Sequence, residues 1–211
     1  MLRLGVLISG GGTNLGAITG AVAARTLDAE VSLVVSNNPK AGGLERAHQA
    51  GIPTVVLDHR SFDSREAFDA AVVTALVARG VTWVVLAGFM RIVTPVLLDA
   101  FPFRVINIHP ALLPAFPGAH AQADALAYGV RVTGCTVHFV DRGTDTGPII
   151  AQAVVPVEVD DTVDSLTARI LASEHRLLPA VLQSIALGQV TVVPPASEGE
   201  RPRVRVSPRV C

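Results

Sequence analysis

Short apolar runs, separated by longer stretches with helical spacing, set the rhythm of the first half of the chain. RLGVLI (3–8), VSLVV (31–35), PTVVL (53–57), TWVVLA (82–87) and VINI (105–108) are near-continuous apolar segments of strand length. A strand without polar alternation is buried on both faces, which implies parallel pairing with helices above and below. Residues 13–25, 41–50 and 64–79 carry helical spacing, the second stopping at Gly51 and the third at Gly80. Strand–helix alternation on this scale predicts an α/β fold with a doubly wound, mostly parallel sheet.

The pattern changes after residue 130. GCTVHFV (134–140) and GPIIAQAVVPV (147–157) flank a polar connection and read as antiparallel strands added to the parallel sheet. A long C-terminal helical pattern runs from Thr162 to Leu187, with Gly188 after it. Pro179 lies inside that pattern and predicts a kink or a division into two helices. From Pro194 the chain turns to Pro, Arg, Ser and Glu. The expected organisation is one domain over 1–193 and a weakly ordered Pro/Arg-rich tail over 194–211.

Composition narrows the class. The 211 residues are 50% hydrophobic and 17% charged, enough apolar material for a large core. A net charge of −1 gives no basis for bulk attraction to nucleic acid or anionic membrane. Cys135 and Cys211 are too few and too far apart for a disulfide framework or a zinc site, so no metal is expected. Cys135 reads as a small buried hydrophobe. The apolar run near the N-terminus is too short for a signal segment, and no uninterrupted stretch has membrane-spanning length. The expectation is a cytoplasmic protein.

Two motifs carry chemistry. ISGGGTNL (8–15) joins the first strand to the first helix. Three glycines let the backbone bring N–H groups close to an anion, and the helix N-terminus adds a favourable dipole. The dinucleotide pattern fails because Leu15 stands where a third spaced glycine belongs, and no Gly-Lys pair supports a nucleotide triphosphate loop. A single phosphate monoester fits best, with Gly12, Thr13 and Asn14 as donors; a glycine turn that binds nothing is the plainer alternative.

The second motif is INIHPALLPAFPG (106–118). Asn107 and His109 are two apart at the end of a strand, so both side chains can face one pocket. Pro110 ends the ladder, and Pro114 and Pro117 stiffen the loop beyond it. An Asn amide can donate to a developing oxyanion, and a His can move a proton near neutral pH. A carboxylate is needed to orient the imidazole, and Asp141 and Asp145 both qualify by spacing. A satisfied turn histidine is the competing reading. His138, between Val137 and Phe139 in a strand pattern, reads equally as a structural histidine.

Taken together, LISGGGTNL, SNN, GLERAHQAGI, FDSREAFD, VVLAGFMRI, INIHPALLPAFPG, GTDTGPII and SEH give the chain a close resemblance to the formyltransferase family, and within it to the folate-dependent phosphoribosylglycinamide formyltransferases. The resemblance runs from residue 4 to about residue 190. It implies direct transfer of a formyl group from 10-formyltetrahydrofolate, a co-substrate, to the amine of glycinamide ribonucleotide in purine biosynthesis. It assigns Asn107, His109 and Asp145 as catalytic, choosing Asp145 over Asp141. It assigns Gly12, Thr13 and Asn14 to the substrate phosphate and Glu174 to the ribonucleotide. Folate falls to Arg65, Met90, Arg91, Ile92, Val93, Asn107 and Asp141. A homodimer is left open. Ala111, Ala115, Ala121, Gln122 and Thr146 depart from the residues usual at those family positions. The rival readings are another folate-dependent formyltransferase or a deformylase and, from a different class, a non-catalytic phosphate-binding α/β module.

Overall fold

The computed structural model describes residues 1–197 and 199–207. The chain divides into two compact units, Met1–Asn107 and Ile108–Cys211.

The first unit contains β1 (Leu2–Ile8), α1 (Thr13–Ala23), β2 (Ala29–Ser36), α2 (Gly42–Gln49), β3 (Thr54–Val56), α3 (Arg65–Ala78), β4 (Trp83–Leu86) and α4 (Pro95–Ala100). The strand β5 (Val105–His109) starts in this unit and ends in the second. Strand order is β3-β2-β1-β4-β5, and every pairing along it is parallel. Leu4, Val6, Leu7 and Ile8 on β1 are at most 1% exposed, and Leu33, Val34 and Val35 on β2 are fully buried. Burial on both strand faces is what the unbroken apolar runs require. The order reverses direction between β1 and β4, the switch point where open α/β sheets bind ligands beyond their strand ends.

The helices form where local signals agree with core-facing spacing. Ser64 caps α3 by accepting a hydrogen bond from Ala67 N–H at 3.0 Å. Phe68, Val72 and Leu76 recur on one face of α3 and are at most 1% exposed. Leu76 packs so closely over β1 that a Cβ on Gly5 would collide with its Cδ2, which explains a glycine inside a strand.

The second unit holds α5 (Ala121–Tyr128), β6 (Val132–Phe139), β7 (Ile149–Pro156), α6 (Val163–Ala186), β8 (Val190–Val193) and β9 (Arg203–Val206). The pairs β6–β7 and β8–β9 are antiparallel. The parallel sheet, added antiparallel strands and long C-terminal helix are those the sequence pattern predicts.

Two details bear on those expectations. Pro179 does not divide α6, which is a single helix of 24 residues. Leu177, Leu178, Val181 and Leu182 are buried on both sides of it. Burial worth roughly 1.5–3 kcal/mol per large side chain outweighs a proline penalty of about 3 kcal/mol. Within the tail read as weakly ordered, Arg203–Val206 forms β9 and pairs with β8. The Arg-Val-Arg-Val alternation has strand period, but four residues among prolines give little sequence signal. Residues 198 and 208–211 of that tail lie outside the described residues.

Candidate active site

The first group of predicted residues comes directly after β1. Gly12 is left-handed (φ +68°), and a Cβ there would approach Gly43 Cα to 2.5 Å. Glycine is required twice over, by backbone angle and by the first turn of α2 lying against it. The carbonyls of this loop point toward α2: Gly10 O accepts from Gly43 N–H at 3.0 Å, and Gly11 O from Arg46 Nε–H at 2.9 Å. Among the described residues, the N–H groups of Gly11, Gly12 and Thr13 donate to no protein acceptor. Tied carbonyls and free amides at a helix N-terminus make an anion cradle. Asn14 is buried and Thr13 half-buried beside it.

A second segment comes after β4. Ser9 joins it to the glycine loop: Ser9 N–H donates to Gly88 O at 3.1 Å, and Ser9 Oγ accepts from Met90 N–H at 2.8 Å. Met90 and Ile92 are exposed, at 69% and 54%. Val93 is buried, and the Arg91 guanidinium lies 5.4 Å from the centroid of the Phe68 ring. Arg65 is exposed in the first turn of α3.

The third group surrounds the end of β5. Asn107, half-buried, and His109, 4% exposed, alternate with Ile108 along the strand. His109 Nε2–H donates to the Phe116 carbonyl at 2.8 Å; a carbonyl only accepts, so that nitrogen carries the proton. His109 Nδ1 lies 3.4 Å from Asp145 Oδ2. The same carboxylate oxygen accepts from Gly118 N–H at 2.8 Å, and Oδ1 lies 3.7 Å from His138 Nε2. Asp145 thus sits among two histidines and a peptide N–H. Its own backbone is left-handed (φ +54°), a region that Asp tolerates better than most residues. Phe116 is left-handed too (φ +51°), which is rarer for a bulky side chain.

Residues 110–118 are held from beneath by a cross-strand pair. Thr136 on β6 stands opposite Gln152 on β7. The Thr136 hydroxyl donates to Ala111 O at 2.7 Å and accepts from Leu113 N–H at 3.1 Å and from Gln152 Nε2 at 3.0 Å. Gln152 Nε2 also donates to Leu113 O at 3.0 Å. One hydroxyl therefore uses its donor and both acceptor positions inside the protein.

His138, 2% exposed, donates from Nδ1 to Phe139 O at 2.8 Å. Burial pushes its pKa below the ordinary histidine value, and the Phe139 carbonyl and Asp145 only partly oppose this. Burial raises the Cys135 thiol to about 12, with nearby Glu174 adding to it, so this cysteine is a packing residue.

Asp145, and not Asp141, is the carboxylate beside His109. Asp141 Oδ1 instead accepts from Gly143 N–H at 3.1 Å and from Thr146 Oγ1 at 2.7 Å. The hydroxyl of Thr146, one of the departures from the family pattern, thereby braces the loop that carries Asp145. Ala111 is fully buried with its carbonyl on Thr136, whereas Ala115 is exposed. Glu174 is 4% exposed on α6. Sequence reasoning did not single out Phe116, Thr136 or Gln152. A backbone carbonyl leaves no residue-type signal, and the other two become meaningful only once the β6–β7 register is known. His138 carried a signal, a polar residue in an apolar strand, but not its meaning. Among the described residues no group of three or more His, Cys, Asp or Glu is gathered for a metal ion, and no helix is long and apolar enough to cross a membrane.

The predicted residues thus include a glycine cradle after β1, an Asn-x-His strand end and an acid held against the histidine. Residues 2–182 match the sequence profile described as formyl transferase, and the chain belongs to that family. It is similar to the phosphoribosylglycinamide formyltransferase of Escherichia coli (strain K12), at 44% identity over 189 residues, covering 90% of this chain and 89% of that protein. It is also similar to the crystal structure of glycinamide ribonucleotide transformylase 1 from Symbiobacterium toebii, with a TM-score of 0.92 and 50% identity, covering 98% of this chain and 94% of that one. The trifunctional purine biosynthetic protein adenosine-3 of Drosophila melanogaster is 47% identical over 197 residues; these are 92% of this chain but span only 15% of that protein.

Proposed function

We propose that this chain transfers the formyl group of 10-formyltetrahydrofolate to the amine of glycinamide ribonucleotide, a step of purine biosynthesis. The observation that carries the proposal is Asp145 held 3.4 Å from His109, two residues beyond Asn107 on β5. Both small molecules suit the site's chemistry: the cradle at Gly12, Thr13 and Asn14 offers amides to a phosphate, and Met90 and Ile92 offer apolar surface to a flat ring.

The amine lone pair attacks the formyl carbon, and the carbonyl oxygen becomes an oxyanion. The Asn107 amide donates to that oxygen, which stabilises a charge absent from the ground state. His109 adds a second donor once its Nε2–H exchanges the Phe116 carbonyl for that oxygen. Collapse of the tetrahedral intermediate breaks the bond to N10, which takes a proton, while the attacking nitrogen loses one. His109 supplies the first proton and Asp145 helps carry away the second. Glu174 contacts the ribonucleotide; Arg65, Arg91, Val93 and Asp141 complete the donor's surroundings. The reaction needs no metal, and its polar substrates fit a cytoplasmic location.

Incubating the protein with both compounds should release tetrahydrofolate in step with formylated ribonucleotide. Consumption of the donor without ribonucleotide would instead indicate a deformylase, and no consumption a binding module.

A further inference from the structure

Asp69 is a carboxylate that the mechanism does not use, yet it is 3% exposed on α3. Burying a carboxylate is unfavourable unless something specific is gained from it. Here Asp69 Oδ2 accepts from the Thr94 N–H at 2.5 Å. The Thr94 hydroxyl stands beside the same carboxylate without completing a hydrogen bond. Desolvation raises the Asp69 pKa, while Thr94 and the Arg91 charge oppose the rise and the Glu66 charge adds to it.

Thr94 ends the segment that begins at Gly88 and carries Met90, Arg91, Ile92 and Val93. Its start is fixed by Ser9, through the Gly88 carbonyl and the Met90 N–H. Its end is fixed by Asp69. Its middle rests on aromatic packing: Phe89 stacks on Phe68 with ring centroids 6.4 Å apart, and Arg91 lies over the same Phe68 ring. Arg65, Phe68, Asp69 and Val72 have i, i+3, i+4, i+7 spacing and so share one face of α3. With both ends tied and the buried and stacked side chains turned one way, the segment leaves Met90 and Ile92 exposed, two residues apart.

We propose that Asp69 is a positioning residue for the formyl donor: by anchoring Thr94 it holds Met90 and Ile92 as a preformed apolar platform for the donor's fused ring. This rests on the reading of residues 90–93 as a donor-binding segment. A side chain at such an anchor acts through the segment's order and touches no reacting atom. Losing it therefore weakens donor binding and leaves the ribonucleotide cradle alone.

The test compares Asp69→Ala, Asp69→Asn and, as control, the double variant Met90→Ala/Ile92→Ala, with KM for each substrate, kcat and thermal unfolding measured on all. Asp69→Ala should raise the donor KM by about tenfold or more, the scale of one hydrogen bond to a charged acceptor, with the ribonucleotide KM within about twofold of wild type. Asp69→Asn keeps an oxygen for the Thr94 N–H and should restore most of the donor affinity. A donor KM that stays put in Asp69→Ala while rising in the control overturns the role of Asp69. So does an equal rise in both KM values, or an Asp69→Asn variant as impaired as Asp69→Ala. If the control itself leaves the donor KM unchanged, the donor-segment reading fails first and the inference with it.

Discussion

The glycine loop and the proline loop solve opposite problems. Residues 9–14 must present backbone, so side chains are removed, the carbonyls are tied to α2, and amide donors are left over. Residues 110–118 must hold the side chains of His109 and Asp145 at fixed angles, through the Phe116 carbonyl and the Gly118 N–H, so the backbone itself is restrained, from below by Thr136 and Gln152 and at its far end by Asp145. The first loop has no room for an added Cβ at Gly12, and the second depends on its hydrogen bonds. Binding by backbone and catalysis by side chain thus leave different fingerprints on the chain, and mutations should separate them.

The largest effect belongs to the side-chain pair that the second loop holds. Asp145→Asn should lower kcat by about 10²–10⁴-fold, the range of a lost general acid–base partner, with both KM values nearly unchanged in steady-state assays. Gly12→Ala comes next and should act on the other side of the comparison. Its Cβ meets Gly43 Cα at 2.5 Å and φ is +68°, so calorimetry should show a loss of about 1–3 kcal/mol. The ribonucleotide KM should rise and the donor KM should hold; a variant that loses kcat alone would erase the contrast.

Thr136→Val keeps the shape of a fully buried side chain and removes its three hydrogen bonds. Stability should fall by about 1–3 kcal/mol, since backbone and Gln152 groups lose a buried partner. The rate should fall through kcat, and Thr136→Ser should recover most of it. An intact kcat would mean that the proline loop does not need its floor.

The smallest effect is a pH dependence. The folded-state pKa of His138 lies below its unfolded value, so the unfolded chain binds the proton first on acidification. Its stabilising contribution is complete above about pH 6.5 and is lost as pH falls through the depressed value. His138→Gln should flatten the stability profile over that window when unfolding is followed at several pH values; an unchanged slope would assign the acid sensitivity elsewhere.

Much of this was legible in the sequence, for identifiable reasons. The strands β1 to β5 show as unbroken apolar runs because burial on both faces leaves no polar positions. The helices α4 and α5, of six and eight residues, were not anticipated, since so short a segment barely completes a hydrophobic period. Asn107 and His109 stood out because a strand that ends on two polar side chains before a proline is unusual. Spacing could not choose between Asp141 and Asp145, because the connecting loop reverses through a left-handed Asp145 that no periodicity predicts. The role of His138 stayed open for the same reason: its place beside Asp145 depends on the register shift between Val137 and His138. The acceptor for His109 is a main-chain carbonyl, and no residue type announces one.

The central claim is that Asp145 acts through His109. A double-mutant cycle on kcat with Asp145→Asn and His109→Asn, with the binding of both substrates measured separately, tests it most directly. Groups that work as a unit give strongly non-additive losses, so the double variant should be little slower than the worse single one. Losses that multiply in full, or an Asp145→Asn enzyme that keeps most of its kcat, would contradict the pairing.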